Sequence, residues 1–262
     1  MRIPALPGGL LWLLPLTLAT SCNIVPSVRA TPRLGTLELS GDLAISSSGI
    51  TAEADMESLG FVDDGNVFGP RVDIAWGPVD IVATGYESSY EGEGVADVTL
   101  DLGGVTITAG EAVSSSLDLT TIGVLATWDL VPTDVVDLGL GVGVTAIDID
   151  ASITSLTSGD TIATDEAAPF PVVAARAAVR LFDLELSGIA SGVAVEQSGV
   201  DATYFDLDLM ASWTFERFLG FHGALVAGWR QVVLDAEYED DGSDVLLDFE
   251  LSGPFFGLTL GI

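Results

Sequence analysis

From residue 34 onward, apolar and polar positions alternate with period two over stretches bounded by Gly, Pro, Asp and Asn. This is the pattern of strands with one face in an apolar medium. It predicts strands near 34–46, 67–76, 79–90, 116–130, 136–150, 170–181, 184–195, 203–215, 219–236 and 246–262. The connections also alternate. Those at 47–66, 91–115 and 151–169 are long, those at 196–202 and 237–245 are intermediate, and Gly77-Pro78, 131–135, Phe182-Asp183 and 216–218 are short. Short turns at one end and longer loops at the other predict a single closed antiparallel transmembrane β-barrel with short periplasmic turns and longer extracellular loops. About ten strands are expected, or eight if one hairpin stands outside the wall.

Hairpin parity tests this reading, because residues facing each other across a turn must share a face. A turn at Gly77-Pro78 sets Trp76 against Val79 and Ile74 against Ile81, all outward. A turn at Phe182-Asp183 sets Leu181 against Leu184 outside and Arg180 against Glu185 inside. Across 131–135, Trp128 is expected to face Leu138. Across 216–218, Trp213 is expected to face Phe221 and Trp229 to face Phe205.

Aromatic rings favour the two membrane interfaces. Trp76, Trp128, Trp213, Phe215 and Phe221 fall near short turns, while Trp229 lies at the far end of its strand, so two belts are predicted. The runner-up architecture is a secreted, soluble, acidic β-sandwich that buries the same aromatics.

Composition fits the barrel. Mean hydropathy is +0.51, yet beyond residue 22 no uncharged apolar run approaches the ~20 residues of a spanning helix. The 262-residue chain carries 39 acidic residues against 8 basic ones, for a formal charge of −31. Such a surface repels nucleic acid and suits a solvated or salt-adapted exterior. The acids at Glu237, Glu239, Asp240, Asp241 and Asp244 give a loop dense enough in oxygen to attract divalent cations, without EF-hand spacing.

The first 21 residues have a positive start at Arg2 and an apolar run from Leu10 to Ala19, the pattern of a signal peptide. Residues 22–33 read as a linker and 34–262 as the barrel. Cys22, the single cysteine, follows Leu18-Ala19-Thr20-Ser21. This resembles the lipobox of bacterial lipoproteins, which implies acylation of Cys22. Val28-Arg29-Ala30 is the competing, ordinary cleavage site.

The last strand, Phe255-Phe256-Gly257-Leu258-Thr259-Leu260-Gly261-Ile262, alternates to its final residue. It resembles the terminal signal of bacterial outer-membrane β-barrels, whose strongest form ends in an aromatic residue where this chain has Ile262. The resemblance covers residues 34–262 at the level of architecture. It implies residence in the outer membrane, contact with its lipid, and recognition by the barrel assembly machinery through this strand.

The inward phase holds Arg71, Asp73, Asp80, Asp129, Asp137, Arg176, Arg180, Glu185, Asp206, Asp208, His222 and Arg230. Ionic groups away from water need partners. Arg71, Arg176, Arg180, Glu185, Asp206, Asp208 and Arg230 are therefore read as a lumenal ionic cluster, either a salt-bridge plug or a charged constriction in a narrow pore. Gly139, Gly141 and Gly143 leave one lumenal wall bare, making room for arginines or easing curvature.

Catalytic signals are weak. His222 stands alone near Ser212 and Asp208, and there is neither a His/Cys metal cluster nor a phosphate-binding glycine loop. The expected function is a non-enzymatic barrel, structural or narrow-pore, with no cofactor. The alternative is adhesion or ligand binding through the extracellular loops, where 95–109 reads as a projecting hairpin turning at Gly103-Gly104.

Overall fold

The computed structural model describes residues 26–262 apart from 48, 49, 62–64, 103, 132, 134, 198, 199, 219, 220, 241 and 242. The signal peptide and Cys22 lie outside the described residues. Fifteen strand segments follow one another: β1 (Ser27–Thr31), β2 (Arg33–Ser47), β3 (Ile50–Asp55), β4 (Gly65–Phe68), β5 (Arg71–Trp76), β6 (Val79–Val95), β7 (Leu100–Leu102) and β8 (Val105–Ile107). The chain continues with β9 (Ala112–Asp129), β10 (Val136–Ser155), β11 (Thr161–Leu181), β12 (Leu184–Gln197), β13 (Val200–Phe218), β14 (Phe221–Asp240) and β15 (Ser243–Gly261). Among the described residues there is no helix.

β1 and β2 act as one wall strand, and β3, β4 and β5 as the next, so the wall has ten strands. It closes because β15 pairs with both β1 and β2, while β6 pairs with β9. A ring with no free ends excludes the two-sheet sandwich.

Outward parity holds at every short hairpin, but register holds at only two. Trp76 faces Val79 and Arg180 faces Glu185 as expected. Trp128 faces Leu140 rather than Leu138, because the 130–135 connection is closed by Leu130 N donating to Leu138 O at 2.7 Å. Trp213 faces Leu225 rather than Phe221, and Trp229 faces Leu209 rather than Phe205. There β13 runs on to Phe218, and a bulge between Thr214 and Glu216 absorbs one residue.

The wall begins earlier than the alternation suggests. Ser27–Thr31, read from sequence as part of a linker, pairs with Ala75–Arg71 of β5. The strands also run past their expected extracellular ends, so that most of 151–169 and much of 237–250 is β-structure.

Along these long strands the barrel turns inside out. On β10, Leu138, Leu140, Val142 and Val144 are exposed on the outer face while Asp137, Gly139 and Thr145 are buried inside. From Ala146 onward the phases exchange. Asp148 and Asp150 are exposed outside, while Ile147 and Ile153 are buried inside. From Leu138 to Ala146 the apolar outer band covers roughly 20 Å of depth at ~3.3 Å per residue and a tilt of ~40°. β14 behaves alike: Leu225 and Trp229 are exposed below Asp235 and Glu237, and inside them Arg230 gives way to Val232 and Leu234.

Above the band the barrel is therefore built like a soluble protein, with an apolar interior and a charged outer face. Its core includes Leu37, Val113, Leu117, Ile153, Tyr204, Leu234 and Phe249. Two connections fold inward to complete it. Leu59, fully buried between Met56 and Phe61, sits inside β9, where Ser115 Oγ donates to Leu59 O at 2.6 Å. The β7–β8 hairpin has the expected position, with Leu100 opposite Ile107, but both side chains are completely buried. It caps the barrel instead of projecting, because its apolar face finds the core.

Candidate functional site

Two ionic layers cross the lumen below this core. The layer nearer the short turns is centred on Arg176 of β11. Its Nη2 donates to Asp129 at 2.6 Å and to Asp137 at 2.9 Å, and it also pairs with Asp80. Arg180 Nε donates to Glu185 at 2.7 Å and reaches Asp137 at 3.5 Å, while Arg29 Nη1 donates to the other Glu185 oxygen at 3.2 Å.

The second layer joins strands on opposite sides of the ring. Arg33 of β2 donates through Nη1 to Asp208 of β13 at 2.5 Å, through Nε to Gly69 O at 3.0 Å, and through Nη2 to Tyr86 Oη. Tyr86 Oη in turn donates to Asp208 at 3.0 Å. Arg71 grips Asp73 with Nε and Nη2, the latter at 2.7 Å, and lies 3.7 Å from Asp208. Arg230 makes a two-point contact with Asp206, at 2.8 and 3.2 Å, and its guanidinium carbon lies 3.0 Å from the Tyr86 ring centre. Arg33 stacks 4.8 Å from the rings of both Tyr86 and Phe255.

The structure thus brings together Arg71, Asp206, Asp208 and Arg230 in one layer and Arg176, Arg180 and Glu185 in the other. Arg29 and Arg33 were missed from sequence because Pro26 and Pro32 disguise the first wall strand as a linker. Their signal is present: Arg29, Thr31 and Arg33 alternate with Val28, Ala30 and Leu34.

Across both layers six arginines meet seven carboxylates. The lumen is thus almost neutral, and the formal charge of −31 lies elsewhere. Much of it stands on the outer wall above the apolar band, at Glu87, Glu91, Asp118, Asp148, Asp165, Asp235 and Asp248, rather than in the loops.

Two small cavities open in the second ionic layer. A cavity of about 20 Å³ lined by Arg71, Thr84, Ser191, Asp206 and Asp208, and one of about 10 Å³ beside Arg33 and Arg230, each have room for about one water. The lumenal glycines act mainly through the backbone. A Cβ on Gly141 would run into Ala126 O, and one on Gly143 into Val124 O, so close approach of β9 and β10 is what they permit. A Cβ on Gly139 would stand 3.6 Å from Arg176 Nε, so this glycine also leaves room beside an arginine.

Five of the six aromatics expected at the interfaces are exposed on the wall. Trp76, Trp128, Trp213 and Phe215 are exposed at the short-turn end, with Trp229 and Phe205 at the other edge of the band. The side chain of Phe221 lies outside the described residues. His222 is half-buried, paired in register with Arg217 and Gly261 and packed over Gly261, so the bulge carries it away from Ser212.

No family model and no curated protein matches the chain. Among solved structures, it is similar to the outer membrane protease OmpT of Escherichia coli, with a TM-score of 0.60 at 12% identity over 90% of this chain and 97% of that one. It is also matched by the transport unit of the autotransporter AIDA-I from E. coli (TM-score 0.36, 14% identity, 94% and 92% covered) and by Ail of Yersinia pestis (0.29, 7%, 88% and 97%). The likeness to OmpT is one of fold. Closed antiparallel barrels with a lipid-facing apolar band reside in the bacterial outer membrane, and the wall described above belongs there.

Proposed function

We propose that this outer-membrane β-barrel is non-conducting and non-enzymatic, a structural protein that holds an acidic, soluble-type barrel above the outer leaflet. One observation carries the reading: an apolar core and two ionic layers lie in series along the lumen, and the two cavities described in the upper ionic layer are of water size. Ions would have to cross the core without compensating groups, which costs several kcal/mol per charge. This favours the salt-bridge plug over the narrow pore.

The register pairs His222 with Arg217 and Gly261 rather than with Ser212, which favours the non-enzymatic half of the proposal. The His222 ring packs over Gly261 at the short-turn end of the wall. The partners we propose are outer-leaflet and inner-leaflet lipid along the apolar band, and the assembly machinery through Phe255–Ile262.

Planar-bilayer recording on purified protein tests the plug. No conductance is expected in potassium chloride at any voltage the bilayer tolerates, and discrete channel steps would overturn the reading. A second reading is ligand binding by the extracellular half. It is favoured by the cross-strand row Asp42, Asp248 and Asp235, which presents carboxylates side by side on the outer wall. Divalent cations between such a row and anionic head groups are the ligand class it suits, and isothermal titration with magnesium chloride would test it.

A further inference from the structure

The wall is not equally knit all round. β10 and β11 stay in register from Val136–Val179 up to Thr154–Thr161, but the β11–β12 ladder ends at Val173–Gly192. Above that pair, among the described residues, Thr161–Val172 has no partner in β12, although β12 continues to Gln197.

The cause is written in β11. Arg180 N donates to Val135 O at 2.8 Å, on the β10 side. Amides of even-numbered residues therefore point to β10, and those of odd-numbered residues to β12. The next two odd positions above Val173 are Pro171 and Pro169, which have no N–H to give. The ladder stops where its donors stop.

The gap has a visible consequence. Ala168 belongs to the inward phase, opposite Ile147, which is buried; Ala168 is exposed. The seam's rims are apolar: Pro169, Pro171 and Val173 stand on the outer face of one, and on the other Ala194 faces outward with Val193 and Val195 in the inward phase behind it. Behind them Phe170 meets the Tyr204 ring edge-on, with centres 4.9 Å apart. The seam starts at the edge of the lipid-facing band: Gly192, its last paired residue, stands opposite Phe205 of the upper aromatic belt.

We propose that the β11–β12 seam is a lateral slot that takes an acyl chain of an outer-leaflet lipid, laid between Pro169/Pro171 and Val193/Val195 against the Phe170 ring. The occupant follows from continuity, since the slot opens from the same apolar band that lipid chains already cover, at Val173. Neither a pore nor catalysis is required.

The test places a bimane label at Ala168→Cys in a Cys22→Ser background, with the barrel reconstituted in phosphatidylcholine vesicles containing chain-brominated lipid as quencher. Ala175→Cys, on the lipid-facing wall, and Ile147→Cys, inside, give the two limits. Quenching at position 168 is expected to approach the Ala175 limit. Pro169→Thr with Pro171→Val, which restores both donors, should bring it down to the Ile147 limit, and Phe170→Ala, which widens the slot, should raise it. Quenching of the wild-type slot no greater than at Ile147, or quenching by aqueous iodide but not by brominated chains, would overturn the proposal. So would quenching that survives the proline repair in a barrel that remains heat-modifiable on gels.

Discussion

Arg33 and Asp208 are 175 residues apart and sit on β2 and β13, which are not neighbours in the wall, yet they meet at 2.5 Å in the middle of the lumen. Asp208 also accepts from Tyr86 and lies near Arg71. Its carboxylate is thus the node at which opposite sides of the barrel are tied.

Asp208→Ala should therefore be severe. It leaves Arg33 buried without its carboxylate and removes an acceptor from Tyr86, and breaking one side of a buried pair costs about 3–5 kcal/mol. Arg33→Met combined with Asp208→Leu should recover much of that loss, since no charge is then stranded. Urea unfolding of the barrel in detergent, followed by gel shift, reads both. Equal stability of the single and double variants would contradict the arrangement.

Asp248 makes a prediction above the membrane, where β15 has left the apolar band. Partial burial, then the charges of Asp235, Asp42 and Glu250, raise its carboxyl above the ordinary carboxylate range. A raised value means that the folded protein binds more protons than the unfolded chain as pH passes from about 4 upward. Stability associated with Asp248 is therefore present at low pH and lost as pH rises through the shifted value. Asp248→Asn should unfold at higher urea than wild type at neutral pH and match it near pH 4. Added salt should shrink the neutral-pH difference, because the neighbouring charges are solvent-facing. A variant destabilised at neutral pH would refute the repulsion.

Much of this was legible in the chain. Alternation located part of each of the ten wall strands but not β1 or β3, which lie in stretches read as linker and loop, and parity put all four tryptophans of the barrel on the outer face. Register was less legible, because the lengths of the turns at 131–135 and 216–218 do not fix where strands begin, and a bulge such as that at Thr214/Glu216 leaves no mark in the period. The inversion at Ala146–Ile147 is written as a shift of apolar residues from even to odd positions. Asp148 and Asp150 make the same stretch look like the start of a polar loop. Pairs such as Arg33–Asp208 depend on closure of the whole ring, which no local pattern encodes.

Close approach of β9 and β10 rests on glycine. Gly141→Val would drive its Cβ into Ala126 O, and backbone cannot yield as a flexible side chain does. A loss of about 1–3 kcal/mol is expected from such overpacking. Gly159→Ala, at a turn with φ of +80° but open space around it, should cost less, through backbone strain alone. Heat-modifiability midpoints rank the two, and a harmless Gly141→Val would remove the case for steric closeness at this wall.

The first wall strand makes a prediction about processing. Val28 and Ile262 exchange backbone hydrogen bonds at 3.0 and 3.1 Å, Arg29 and Ala30 pair with Gly261 and Leu260, and Arg29 reaches Glu185. Cleavage after Ala30 would remove the partner of the terminal strand and strand Glu185 on one side. Cleavage before Cys22 keeps all of it. It also leaves four residues between Cys22 and Ser27, five Cα–Cα steps that reach roughly 17 Å when extended, and Ser27 pairs with Ala75 at the short-turn, periplasmic end. An acylated Cys22 would then rest in the inner leaflet beside the barrel. Mass spectrometry of the protein from its native membrane should find a diacylglyceryl-modified Cys22 at the N-terminus. A mature chain starting at unmodified Thr31 would end the lipoprotein assignment, and would require β15 to close against β2 alone.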